Sequence, residues 1–131
     1  MSATGNVLLD TNIVVAHFRN EASVSIKLDQ QEVCYLPLIV LAELYYGAYK
    51  SHFPDKTLAG VQSFLNHVKI LFPKEATADH YGRIKADLDK AGTPIPQNDI
   101  WIAALAREHN LPLVTRDAHF SQVSGLTVLS W

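Results

Sequence analysis

Val7-Leu8-Leu9-Asp10-Thr11-Asn12 is the stretch that decides the fold. A strand with one wet face alternates apolar and polar residues. An unbroken apolar run such as Val7-Leu8-Leu9 is instead a strand buried on both faces, as in a parallel sheet. Asp10 ends the run, and helical spacing begins at once, predicting a helix from Thr11 to about Phe18. A second helix is predicted from about Ala22 to Leu28, then a strand over Val33 to Leu36. Pro37 stands where a helix can begin, because its missing N–H is not needed in a first turn. That helix is expected to run to about Tyr49. Beyond the polar break Ser51-His52-Phe53-Pro54-Asp55, Leu58, Val61, Leu65 and Val68 recur at helical spacing. A brief strand is predicted over Lys69 to Phe72. Tyr81, Ile84 and Leu88 mark an amphipathic helix from Ala76 to Lys90, ended by Gly92. Gly92-Thr93-Pro94-Ile95-Pro96 reads as a rigid loop before a helix from Asn98 to about Glu108. Leu113-Val114-Thr115 and Val128-Leu129 complete the strands. Alternating elements with apolar strands predict an α/β fold, a mainly parallel sheet covered by helices on both faces.

The bulk numbers agree with a soluble α/β domain. The chain has 131 residues, 48% of them hydrophobic and 18% charged. That suits a single domain over residues 1–131 with a sizeable core. No repeat, low-complexity tract or Gly/Ser-rich linker divides it. No apolar run approaches the length of a membrane span, and Met1-Ser2-Ala3-Thr4-Gly5 lacks the features of a signal peptide. Cys34 is the one cysteine and sits in the apolar run Val33-Cys34-Tyr35-Leu36, so a buried core thiol is expected. A cytoplasmic protein is the expectation. The formal net charge of −2 argues against bulk electrostatic attraction to nucleic acid. It does not exclude a nuclease, since a bound metal carries its own positive charge.

Four acids stand among apolar neighbours, where burial costs free energy unless something cationic offsets it. They are Asp10, Glu43 in Leu41-Ala42-Glu43-Leu44-Tyr45-Tyr46-Gly47, Asp99 in Gln97-Asn98-Asp99-Ile100-Trp101, and Asp117 in Thr115-Arg116-Asp117. Asp10 and Asp117 each fall just past a strand's carboxyl end, where open α/β sheets bind ligands. Asp99 falls at a helix start, the mouth of the same crevice. Each has an ordinary explanation as well. Asp10 can cap a helix, Asp99 can answer a helix dipole, and Asp117 can close an Asx turn. Glu43 fits its ordinary explanation worst, because the positions one turn away hold Ile39, Val40, Tyr46 and Gly47 rather than charges. Gly47 costs about 1 kcal/mol in a helix interior, which suggests close approach of another backbone or a substrate.

Other chemistries lack their signatures. His17, His52, His67, His80, His109 and His119 show no ligand-like spacing, and no zinc motif, Gly-x-Ser-x-Gly elbow or phosphate-cradling glycine loop occurs. Oxygen ligands and a hard cation remain.

The order Leu8-Leu9-Asp10-Thr11-Asn12, then Glu43 in an apolar helix, then Asp99-Ile100-Trp101-Ile102-Ala103-Ala104, then Thr115-Arg116-Asp117-Ala118-His119-Phe120 resembles the PIN-domain ribonuclease family. The branch it is most similar to is that of the VapC-type toxins of toxin–antitoxin pairs. The resemblance runs through the closing Val123-Ser124-Gly125-Leu126 segment. It implies a three-layer α/β/α Rossmann-like fold and a metal-dependent endoribonuclease, with a homodimer and a small inhibitory antitoxin as partners. Asp10, Glu43, Asp99 and Asp117 fall on the family's acidic cluster. Thr11, Asn12 and Thr115 fall on its polar neighbours. The implied chemistry is one or two Mg2+ or Mn2+ ions held mainly by Asp10 and Asp99, with Glu43 and Asp117 assisting. RNA would then be cut to 5′-phosphate and 3′-hydroxyl ends.

Arg116 and Arg19 adjoin these motifs and are candidates to hold an RNA backbone, or equally surface charges or antitoxin contacts. Around Tyr45, Tyr49 and Phe53 an apolar helical surface can serve as an interface, although core packing is expected of Tyr45. A haloacid-dehalogenase-type phosphatase needs Asp-x-Asp after its first strand, and position 12 is Asn. A non-catalytic PIN-like binding module would be marked by lost acids, and none is lost. A housekeeping RNA-processing nuclease without an antitoxin is not separable from a toxin by sequence.

Overall fold

The computed structural model describes residues 5–131. The expectation of no signal peptide falls largely on residues 1–4, which lie outside the described residues. Strands β1 (Asn6–Leu9), β2 (Val33–Pro37), β3 (Lys69–Leu71), β4 (Leu113–Val114) and β5 (Val128–Leu129) form one sheet in the order β3-β2-β1-β4-β5. Every pairing is parallel, with Val7 opposite Cys34 and Leu9 opposite Val114. Helices α1 (Thr11–Phe18), α2 (Ala22–Gln30), α3 (Leu38–Tyr49), α4 (Pro54–Phe64), α5 (Glu75–Ala91) and α6 (Gln97–His109) connect the strands.

The apolar strand runs behave as expected. Val7, Leu8 and Leu9 are all at most 2% exposed, although neighbouring side chains point to opposite faces. Helices must therefore cover both sides, which is the three-layer α/β/α arrangement. Leu113 and Val114 are likewise fully buried in β4. From β1 the chain winds outward through β2 to β3, then returns to the other side of β1 for β4 and β5. The direction of winding thus reverses between β1 and β4, and that is the switch point at which such sheets open a crevice.

Several boundaries differ from expectation for local reasons. Pro37 closes β2 and precedes α3 with an extended backbone (ψ 140°) rather than lying in the first turn. Pro96 does the same before α6, its carbonyl accepting from the N–H groups of Asp99 and Ile100. The helical run through Leu65 and Val68 breaks early. Helix α4 ends at Phe64, Leu65–His67 forms a 3-10 turn, and Val68 is already extended (φ −133°). Strand β3 stops at Leu71 and Phe72 beyond it is exposed, followed by Pro73, which has no N–H to give to a ladder. Gly92 ends α5 in the left-handed conformation, as predicted. Cys34 is buried, its thiol pushed up to about 11 by desolvation and the nearby Asp29 charge. No described helix is long and apolar enough to cross a membrane.

Candidate metal centre

The junction of β1 and α1 places Asp10 at the switch point. Its backbone N–H donates to the Val114 carbonyl of β4 at 3.0 Å, tying the two central strands together at this end. The side chain is 5% exposed. Oδ1 accepts the Thr11 N–H at 2.8 Å, so Asp10 does cap α1. Oδ2 accepts the Thr115 hydroxyl at 2.7 Å and the Asn12 amide at 3.4 Å. Burial raises the Asp10 pKa. The Thr115 and Thr11 donors oppose that rise, and the Asp99 and Asp117 charges add to it.

The other three acids arrive from separate elements. Glu43, on α3, is half-buried and accepts the Thr11 hydroxyl at 3.2 Å. Burial raises its pKa, the Thr11 bond lowers it, and Asp10 and Asp99 raise it further. Asp99 sits in the first turn of α6, with Oδ2 2.9 Å from Nδ1 of His119. Its pKa is also raised, chiefly by burial, against the lowering effect of the His119 bond. Asp117 follows β4, and its Oδ1 accepts the His119 N–H at 2.9 Å. This is the short turn expected of it, opening a 3-10 segment, Ala118–Gln122.

Polar neighbours knit the acids into one framework. The Thr115 hydroxyl donates to Asp10 and accepts the Asp117 N–H at 3.0 Å. Asn12 Oδ1 accepts the Arg116 N–H at 3.2 Å, bridging the first strand–helix junction to the segment after β4. Asp10, Glu43, Asp99 and Asp117 line one open crevice of about 400 Å3, with Thr11, Asn12, Arg19 and Arg116. The four acids expected at one spot are therefore gathered there, and the capping and turn roles of Asp10 and Asp117 coexist with that gathering.

Three expectations change. Arg116 is not a free phosphate ligand: its guanidinium pairs with both oxygens of Glu21 at 2.9 and 3.2 Å, and Nε donates to the Trp131 carbonyl at 2.8 Å. Arg19, the residue that ends α1, lines the crevice without such a clamp among the described residues. Beyond its chain neighbours and its own helix backbone, Gly47 has no described atom within 4 Å of where a Cβ would stand, so close approach of another backbone segment of this chain is not its reason. His119, given no ligand role by spacing, places Nδ1 within 2.9 Å of Asp99 and 3.1 Å of Asp117. The local signal was the two-residue step from Asp117 to His119, which a turn converts into proximity.

Asp99, Asp117 and His119 offer donor atoms that all lie within 4.8 Å of one another, a set able to hold a metal ion. Asp10 and Glu43 make no ion pair among the described residues, while burial raises both pKa values. Carboxylates crowded and desolvated in this way fit a hard divalent cation.

An all-parallel α/β/α sheet with carboxylates gathered at its switch point defines a class of acidic-centred domains. A PIN-domain family model matches residues 7–126. The chain is 39% identical to "Ribonuclease VapC2" of Haemophilus influenzae over 128 residues, covering 95% of this chain and 96% of that protein. It is 37% identical to "tRNA(fMet)-specific endonuclease VapC" of Shigella flexneri, with the same coverage. The DNA-bound VapBC structure from Salmonella typhimurium superposes with a TM-score of 0.90 at 29% identity, covering 98% of both chains. VapBC2 of Rickettsia felis, bound to a DNA fragment from its promoter, superposes with a TM-score of 0.88 at 28% identity, covering 96% of this chain and 98% of that one. The chain belongs to the PIN-domain family, in its VapC branch.

Proposed function

We propose that the protein is a metal-dependent endoribonuclease and the toxin of a toxin–antitoxin pair. The observation that carries this reading is the convergence of Asp10, Glu43, Asp99 and Asp117 on one crevice, with three of the carboxyl groups raised by burial. Asp10 and Asp99 would be the main ligands of Mg2+ or Mn2+, and Glu43 and Asp117 would contribute directly or through water. Bound there, the ion supplies positive charge that polarises a phosphodiester and makes water more acidic. Thr115 and Thr11 hold the Asp10 and Glu43 carboxylates in place through 2.7 and 3.2 Å hydrogen bonds. Arg19 lines the crevice and is the cation available to position an RNA backbone. The products are 5′-phosphate and 3′-hydroxyl ends, with no attack by the 2′-hydroxyl.

The VapC relatives named as tRNA(fMet)-specific endonucleases make initiator tRNA the first substrate to try. The VapBC structures support a small antitoxin as partner. Tyr49 and Phe53, 69% and 73% exposed, offer apolar surface for a homodimer or that partner, while Tyr45 packs against the core. Action in the cytoplasm follows from such a substrate. Purified wild type and Asp10→Asn are incubated with total RNA and tRNA(fMet) in Mg2+, Mn2+ or chelator, and the cut ends are mapped. Cleavage is expected for wild type with metal alone. Metal-independent cleavage, or equal activity in Asp10→Asn, contradicts the reading. Growth arrest on expression, relieved by a neighbouring small protein, separates a toxin from a housekeeping nuclease.

A further inference from the structure

His119 stands out because one ring nitrogen faces two carboxylates from different elements. Nδ1 lies 2.9 Å from Asp99 Oδ2, on α6, and 3.1 Å from Asp117 Oδ1, just after β4. A single N–H points along one line and serves one such acceptor well. Three donor atoms that all lie within 4.8 Å of one another instead resemble neighbouring ligands around a cation. An octahedral ion with bonds of about 2.1 Å spaces adjacent ligand atoms about 3.0 Å apart.

The placement is built into the chain. The Asp117 carboxylate accepts the His119 N–H at 2.9 Å, turning the backbone so that both side chains face α6. The following residue, Phe120, is 0% exposed and anchors the turn in the core. The His119 side chain itself is 49% exposed, so the ring is not held there by burial.

We propose that His119 is a nitrogen ligand of the divalent-cation site, beside Asp99 and Asp117, and that it biases this site toward Mn2+ over Mg2+. The inference rests on the metal reading above and goes beyond it, because that reading takes an all-oxygen ligand set. Mg2+ holds to oxygen donors and keeps its waters, whereas first-row transition ions accept imidazole. An enzyme with this ligand discriminates between the two ions by chemistry rather than by size alone.

The test uses the whole protein and Mn2+ as its own spectroscopic probe. Pulsed electron paramagnetic resonance is recorded on Mn2+ bound to wild type, to wild type carrying 15N-histidine, to His119→Ala and to Asp99→Asn. Calorimetric titrations with Mn2+ and Mg2+ accompany them. The expected result is an imidazole nitrogen coupling in wild type that changes with the isotope and disappears in His119→Ala. Mn2+ affinity should fall about tenfold or more in that variant, with Mg2+ affinity changing less than about threefold. His119→Gln, which keeps a hydrogen-bond donor toward Asp99 but no ring, should behave like His119→Ala. Mn2+ that binds through Asp99 without any nitrogen coupling overturns the inference and leaves the metal reading standing. Recovery of Mn2+ affinity in His119→Gln reduces His119 to a positioning residue and also overturns it. Failure of wild type to bind Mn2+ or Mg2+ at all overturns the metal reading itself.

Discussion

Helix α6 carries a shielded carboxylate at each end, and the two ends are built in opposite ways. Asp99 lies in its first turn and Glu108 in its last, nine residues on, or about 13.5 Å along the axis. Glu108, whose side chain is 11% exposed, lies outside the crevice that gathers Asp10, Glu43, Asp99 and Asp117. It has a dedicated donor in the hydroxyl of the fully buried Thr77 from α5, and the His109 ring lies 3.4 Å away. A negative charge at a helix C-terminus opposes the dipole, so it requires such donors. Asp99 sits at the favourable end of the dipole yet shares its space with three further acids, and its pKa is raised by burial. An acid that serves the fold is satisfied by its neighbours. A group of acids crowded into one crevice, with pKa values raised by burial despite their hydrogen-bond donors, is completed by something from outside the chain.

That contrast is broken most severely at Asp99. Asp99→Asn, or Asp10→Asn, should lower RNA cleavage by at least about a hundredfold, a loss typical of removing an electrostatic element of a reaction centre. Cleavage rates on tRNA in Mn2+ check this, with circular dichroism to confirm folding. At the other end, Thr77→Val leaves Glu108 without its buried donor and frees the Lys74 N–H that Thr77 accepts at 2.9 Å. It should cost about 1–3 kcal/mol in urea unfolding while leaving the cleavage rate within about twofold of wild type.

The pH response should also separate the two ends. The raised carboxyl groups of Asp10, Glu43 and Asp99 keep protons in the folded state that the unfolded chain has released. Their contribution to metal-free stability is therefore fully present below the ordinary carboxylate range and falls as pH rises through the raised values. The His119 pKa is raised, chiefly by its bond to Asp99, so a second contribution is complete below about pH 6.5 and is lost above it. Urea titrations across pH without metal should show both declines. Asp10→Asn should flatten the acidic one, and Thr77→Val should not. The smallest effect is expected at the rim. Glu21→Gln weakens an exposed, solvent-screened pair and releases the Arg116 fork. KM for RNA should then fall up to about fivefold with kcat unchanged, read from initial rates.

The strands and most helices were legible because their signals are local. Val7-Leu8-Leu9 is apolar without alternation, Gly92 follows an amphipathic run, and Asp10 and Asp117 lie at strand ends. Glu43 was legible by its lack of charged neighbours, and it is half-buried against Thr11. What escaped depends on distance in the chain or on a turn. Arg116 meets Glu21 across 95 positions, a pairing that nothing near either residue announces. His119 reaches the acids only because a 3-10 turn follows Asp117. Helix α4 stops at Phe64 although its apolar spacing continues, since Leu65 and Val68 can meet the core from a turn and an extended residue as well as from a helix.

Thermal unfolding with and without Mn2+ tests most directly whether the acids of the crevice serve a cation. Without metal, Asp10→Asn should melt at or above the wild-type temperature, because a repelling, desolvated charge is gone. Added Mn2+ should raise the wild-type midpoint by several degrees, as a ligand that binds only the folded state does, and leave Asp10→Asn unmoved. A metal-free Asp10→Asn that melts well below wild type, together with an equal Mn2+ shift in both proteins, would make Asp10 a helix cap and nothing more.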